Sequence, residues 1–537
     1  MDYIILICST TCHLYIFTPP KKVLIFSRFR AVPQAIAAAL SFDLETKYLA
    51  QENIPYEQIS SRRSLSATED RYPLLGLFHP SPFLIRETDP LAARGVSFSA
   101  IRRKVEQQLK GALRELEVTI DDKAQEQPVW RLLARLEDLS GDWEWIKKDW
   151  RRIAANIQVT DDETRDSRLA QLLIEWDNEA QKPLERITTK NFNALVQYAI
   201  GSPGVAVGRA LYRHWDHAIS ECGFFHTLDA AWNGLRTYLD ERLFYSLLRK
   251  GNEHYPDALL RAVVDGNLEA VLDEHLWIIS QLRSASKAEL AIELKEGLSI
   301  KSSTFFLHSL DGNRDERFSL RCHAAMPFTQ SQVRYVSEEE KGKGKGKEKP
   351  IRTDELRRAF NTPFWPYVLA TTSVGQEGLD FHTWCDTLVH WDLCRNPVDL
   401  EQREGRLQRF GGLAIRRSIA GELGAEAIVA REDGKSLWAC IAQMADERMS
   451  DESGLAPWWV CKGGSIRRYV FDVPTSEQQY WLQWVKEQRL LYRLALGQPN
   501  QEDLVEVLSR QMDIEDEEML RQAAINLSPW FRKLEGL

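Results

Sequence analysis

The chain has 537 residues, of which 44% are hydrophobic and 27% charged, and its formal net charge is −9. That length holds several domains and a sizeable core, and the acidic balance excludes a protein that is basic all over. Contact with nucleic acid therefore has to come from local basic patches. The eight cysteines (Cys8, Cys12, Cys222, Cys322, Cys385, Cys394, Cys440 and Cys461) are scattered and form no CxxC pair. This excludes a disulfide framework and points to a reducing, cytoplasmic compartment.

We take residues 1–20 as an N-terminal leader. Its opening, MDYIILICSTTCHLYIF, is apolar but has no positive start and is too short to span a bilayer. We read it as a buried strand or an aberrant start of the frame rather than a signal peptide. No other segment has the length of a transmembrane helix, so no membrane partner is expected. Residues 21–54 begin an α/β domain. VLIFS, residues 23–27, is the apolar run of a buried parallel strand, and AVPQAIAAAL, residues 31–40, is a helix with Pro33 in its first turn.

Residues 55–300 are mostly helical by periodicity. Ile101, Val105, Leu109, Leu113 and Leu116 share one face, as do Trp143, Ile146, Trp150, Ile153 and Ile157, and again Leu228, Trp232, Leu235, Leu239 and Leu243. These stripes are core. Lys147, Lys148, Arg151 and Arg152 form a solvated helix face between the tryptophans. Residues 301–420 return to strands, at 303–308 and at 317–324, where Phe318, Leu320, Cys322 and Ala324 alternate with polar residues. The Gly/Lys-repetitive stretch 337–350 reads as a disordered loop. Its GKGKGK lacks the GxxxxGK[ST] spacing of a phosphate loop. Then follow a helix at 352–360, strands at 367–371 and 387–391, and a helix at 397–409. Residues 421–537 form a mixed, mainly helical C-terminal accessory region with PWWV at 457–460. The simplest layout is a parallel-sheet α/β domain interrupted by a large, mainly helical insertion.

Two stretches carry chemistry. In VLATTSVGQEGLDFH, residues 368–382, a strand ends at Thr371 and Thr372, and the chain turns through Ser373, Gly375 and Gly378. Glycines let backbone approach a ligand, and hydroxyls bond phosphate or ribose. Asp380 is placed to accept from a ribose hydroxyl. In NPVDLEQREGRLQRFGG, residues 396–412, Asn396 caps a helix and Pro397 takes its first position. Gln402, Arg406 and Arg409 then fall at i, i+4 and i+7 on one face, and Gly405 clears space beside them. An amide with two guanidiniums suits a planar, highly charged anion such as a triphosphate. In an open α/β sheet both stretches lie at the carboxyl edge, where ligands bind.

These residues resemble a known pattern. ATTSVGQEGLDF is similar to motif V, EQREGRLQR to motif VI and KVLIFSRF to motif IV of superfamily 2 helicases, in wording closest to the Swi/Snf-like branch. The resemblance covers about eighty residues of the family's second RecA-like domain. It implies ATP- and Mg²⁺-dependent movement along nucleic acid, with DNA preferred to RNA as partner. It also implies that Arg406 and Arg409 are arginine fingers and that Gln402 belongs to the γ-phosphate network. Gly375, Glu377, Gly378 and Asp380 would couple nucleotide to nucleic acid, with Ser27 and Arg28 near its backbone and Thr371, Thr372 and Ser373 at the same edge.

The chain departs from that family in one respect. It contains no GxxxxGK[ST], and VLDEHLW, with Asp273, Glu274 and His275, imitates a DExH box inside a helical pattern. The first RecA-like lobe, with the Mg²⁺ ligands, is therefore expected on a separate or upstream polypeptide. Two other readings stay open. One is a non-catalytic nucleic-acid-binding or scaffold protein. The other is a metal enzyme built on His382, Cys385, His390 and Cys394, although we assign no metal ligand.

Overall fold

Apolar runs bounded by glycine and charge fix the strands, and the apolar stripes fix the helices. The computed structural model describes residues 22–49, 71–93, 97–141, 143–155, 161–214, 223–239, 244, 248, 250–251, 253–265, 267–282, 287–299, 303–308, 317–322, 324–328, 353–372, 379–471, 477–495 and 499–511. The N-terminal leader, the 337–350 stretch, Ser373, Gly375, Glu377 and Gly378 lie outside these residues. The described strands are β1 (Lys22–Phe26), β2 (Thr119–Ile120), β3 (Arg186–Ile187), β4 (Ser303–His308), β5 (Arg317–Cys322), β6 (Ala325–Phe328), β7 (Val368–Thr371), β8 (Cys385–His390) and β9 (Arg467–Val470). None of the described helices is long and apolar enough to cross a membrane.

The chain divides into two units. One takes Pro20–Asp43, Lys301–Leu423 and Met444–Leu537. At its centre is a parallel sheet in the order β6-β7-β1-β8-β9. The order follows from the side chains. KVLIF of β1 and CDTLVH of β8 are buried at every position, as interior parallel strands require. Pro327 has no N–H to give and sits in the end strand β6. The other end strand, β9, is RRYV, and its charged residues discourage further pairing. A sequence segment assigned to the accessory region thus supplies an edge of the sheet. β4 and β5 pair antiparallel as a separate two-stranded sheet.

Between β1 and β8 the register shifts after Lys22, which leaves Asp386 as the extra residue between the Cys385 and Thr387 pairings. Its carboxylate accepts from Arg467 Nη2 at 2.8 Å and pairs with Arg417. At the other edge of β1, Lys22 is fully buried and donates from Nζ to Phe360 O at 2.9 Å, closing the C-terminal end of the Thr353–Phe360 helix.

The second unit takes Leu44–Ile300 and Gly424–Gln443, and its described secondary structure is helical apart from the short parallel pair β2–β3. Val105, Leu109 and Leu113 are buried on the Phe98–Glu115 helix, and Trp143, Ile146 and Trp150 on Trp143–Ala155, as the periodicity predicts. Lys147 pairs with Glu144 and lies 3.6 Å from Asp177, a local ion pair. Gly204 lets the Pro203–His214 helix touch the chain at Phe78, because a Cβ there would stand 2.3 Å from the Phe78 carbonyl carbon.

The DExH-like triplet lies within the Leu268–Leu282 helix. Asp273 is buried and accepts from Ser436 Oγ at 3.0 Å and Trp438 N at 3.2 Å, with His214 Nε2 at 3.1 Å. Its carboxylate ties helix ends together.

Burial pushes the Asp386 carboxyl up, but the Arg417 and Arg467 guanidiniums outweigh it and hold the group below the usual carboxylate range. The unfolded chain then binds more protons between the two values, so stability rises with pH in that window. The contribution is complete above about pH 4 and disappears as pH falls through the depressed native value. Asp386→Asn should lower stability by about 1–2 kcal/mol at neutral pH and flatten the acid limb of the urea-unfolding profile. An unchanged acid limb would refute this role.

Candidate nucleotide and nucleic-acid site

β1, β7 and β8 end side by side. Ser27 N donates to Thr371 O at 3.0 Å, and Trp391 N to Phe26 O at 2.9 Å. The loops that follow these strands therefore begin at one carboxyl edge. Thr371 is buried, and its hydroxyl donates to Phe328 O at 3.1 Å rather than to an outside ligand. Thr372 is buried as well. Ser27 is also turned inward, donating its hydroxyl to Asp392 Oδ2. Asp392 further accepts from the backbone N–H of Arg28 at 3.0 Å. Of the residues expected to face nucleic acid here, Arg28 alone presents an open side chain among those described, 54% exposed and 3.8 Å from Asp392. Ser27 holds the turn that displays it.

The helix after Asn396 is shorter than its sequence predicts. Asn396 caps it through Val398 N at 2.9 Å, and it runs Pro397–Gly405 rather than to 409. Arg406 is its C-cap, and the chain then turns to Gly411, whose φ of +60° favours glycine. Gln402, Arg406 and Arg409 consequently do not form one stripe. Gln402 is exposed, Arg406 is buried and Arg409 is partly exposed. A Cβ on Gly405 would meet nothing within 4 Å, so no crowding there demands glycine.

The inward position belongs to Arg403, which the sequence did not single out. It is buried, donates to Asp392 O at 3.1 Å and lies over the Phe26 ring at 5.3 Å. Glu404 pairs with Arg468 of β9 at 2.9 Å and with Arg489 of the Gln478–Leu494 helix at 3.4 Å. The acidic residues beside motif VI are thus spent on its supports. Asp392 and Arg403 have a legible signal afterwards: a carboxylate directly after an interior strand, and the arginine one turn from Leu400 on the core side.

The turn carrying Arg406 and Arg409 is knitted to the segment 379–383. Phe381 N donates to Arg406 O at 3.1 Å, and Leu413 N to His382 O at 3.0 Å. Arg406 Nη1 reaches Leu379 O at 3.4 Å. Arg416, only 1% exposed, donates to Thr383 O at 2.6 Å and to Gly411 O at 2.7 Å, clamping both loops. Asn361 Nδ2 donates to Asp380 O at 2.8 Å. The carboxylate of Asp380 stands 3.1 Å from Arg409 Nε, without hydrogen-bond alignment, and the buried Nε atoms of Arg409 and Arg406 have no hydrogen-bond partner among the described residues. Burial first, then the charge of Arg409, pulls the Arg406 pKa below its ordinary value, against the opposing carboxylate of Asp380. Among the described residues, two guanidiniums thus share one carboxylate.

The alternative metal site is not assembled. Cys385 and His390 stand at opposite ends of β8, about 16 Å apart at ~3.3 Å per residue. Burial raises the Cys385 thiol to about 12 and lowers His390 to about 3 and His382 to about 4. Among the described residues no three His, Cys, Asp or Glu side chains are grouped to hold a metal ion.

Residues 343–411 match the family described as helicase conserved C-terminal domain. The match spans β7, β8, the Pro397–Gly405 helix and both arginines, and it supports a helicase C-terminal domain with a general nucleic-acid-related function. No curated protein and no solved structure matches the chain.

Removing the clamp should loosen the site before it unfolds the sheet. Arg416→Ala is expected to cost about 3 kcal/mol, read as a shift of the urea transition. Arg416→Lys should recover only part, because one ammonium does not fork to both carbonyls. Full recovery by lysine would remove the forked geometry from the account.

Proposed function

We propose that the chain is the C-terminal half of an ATP-dependent superfamily 2 helicase or translocase, of the Swi/Snf-like branch, working in the cytoplasm on nucleic acid, with DNA preferred to RNA. In this proposal the helical unit is an insertion between the motif IV strand and the rest of the RecA-like domain. The first RecA-like lobe, with the phosphate loop and the Mg²⁺ carboxylates, comes from a separate or upstream polypeptide.

One observation carries the proposal: the knitted loops put Arg406 and Arg409 beside Leu379 and Asp380, two guanidiniums to one carboxylate among the described residues. The residues fit a triphosphate. Guanidiniums pair with phosphate oxygens in forked geometry, and charge spread over a transferring phosphoryl group is stabilised where it develops. Arg409 would exchange Asp380 for phosphate, and Arg406, held at Leu379 O, would keep its place. ATP with Mg²⁺ supplies the phosphoryl group when bound; the metal's own ligands are assigned to the first lobe. Arg28 faces nucleic acid across the strand edge as a phosphate contact that carries no sequence information.

A non-catalytic scaffold is the second reading, and the absence of GxxxxGK[ST] from these 537 residues favours it for the chain acting alone. The two separate in one experiment. The chain alone should turn over ATP negligibly, and reconstitution with its first lobe should give nucleic-acid-stimulated hydrolysis. Arg409→Ala should then lower kcat about a thousandfold or more. A variant running at the parent rate would remove Arg409 from the mechanism.

A further inference from the structure

Directly after Arg409 stands Phe410, 50% exposed, and against it Trp459, 43% exposed, with ring centroids 5.8 Å apart. Trp458 completes the group at 6.2 Å from Phe410. Large rings left half in water and touching one another mark an interaction surface more often than a packing accident. These rings are also held in place. Gly411 N donates to Trp458 O at 2.8 Å, Trp459 N to Leu455 O at 2.8 Å, and Trp458 Nε1 to Asp446 Oδ1 at 2.6 Å. Arg416, through Gly411 O, fixes the same turn. A ligand that lands here has little left to order, which favours affinity.

We propose that the Phe410–Trp459 face receives the base of a nucleotide whose phosphates lie on Arg406 and Arg409. This rests on the assignment of those arginines made above. The arginine that precedes Phe410 in the chain selects the occupant. A flat, uncharged π-system joined to a polyanion matches an exposed ring one peptide from a guanidinium, with a second exposed ring against it. An apolar peptide would leave the guanidiniums unmatched, and a second copy of this chain would have to bring an anion to them. Stacking uses the π-face that every base has, so the face accepts bases with little discrimination.

The test titrates ATP, GTP, CTP, UTP and inorganic triphosphate onto the full chain, followed by ligand-observed NMR. ATP should bind about five- to a hundredfold tighter than inorganic triphosphate, with the four nucleotides within about fivefold of one another. Phe410→Leu and Trp459→Leu keep apolar bulk but remove the π-face. Each should lower ATP affinity toward that of inorganic triphosphate and leave inorganic triphosphate binding as it was, which also shows that the variant is folded. If both variants keep the ATP advantage while Arg409→Ala still abolishes triphosphate binding, the base face is refuted and the arginine assignment stands. If triphosphate binding survives Arg409→Ala, the arginine assignment fails and takes the base face with it; if neither ligand binds the full chain, the base face is refuted while the arginine assignment, which acts together with the first lobe, stands. A change in sedimentation of Phe410→Leu with ATP binding unaltered would make the face a contact between copies and overturn the proposal.

Discussion

The site depends on one buried guanidinium. Arg416 donates to Thr383 O and Gly411 O, and so joins the segment leading into β8 to the turn that leaves the motif VI helix. A buried arginine is costly to desolvate, and it persists only where its donors meet acceptors with good geometry. Around it the backbone pairs Phe381 with Arg406 and His382 with Leu413. Two loops far apart in the chain thereby become one rigid rim. Rigidity matters because a positioned cation acts on a phosphoryl group only if it does not have to be gathered at the moment of reaction.

On that rim the charges are unevenly matched. Among the described residues Asp380 is the carboxylate that bears on both Arg406 and Arg409. Glu404, which lies closer in sequence to both, is committed to Arg468 and Arg489. Asp392 is committed to Ser27 and the backbone of Arg28. Among the described residues, the acids of the region thus mostly build supports. The same logic shows how a chain with a net charge of −9 can serve the proposed polyanion site.

The interior strands were legible because burial on both faces writes itself as an unbroken apolar run, as in KVLIF. Pro397 after Asn396 marked the start of a helix for the same local reason. Its end was not legible. Leu407 and Gln408 are good helix formers, and the helix stops at Gly405 because tertiary hydrogen bonds to the 379–383 segment take over. That early stop breaks the predicted stripe of Gln402, Arg406 and Arg409. It also hid Arg403, whose inward role needs Phe26 and Asp392 in place. Ser27 and Thr371 read as ligand-facing hydroxyls, yet at the strand ends their nearest acceptors are Asp392 and the Phe328 carbonyl. Sequence carries residue type and spacing; which neighbour claims a hydroxyl is a property of the assembled edge.

The most direct measurement is hydrogen exchange at the amides of Phe381 and Leu413, which donate across the two loops. If the rim is a single unit, both amides are protected in the parent chain and lose protection together in Arg416→Ala, while the β1 amides keep theirs. Exchange of Phe381 and Leu413 at the rate of open chain in the parent would mean that the loops are not joined, and the account of the site would fall.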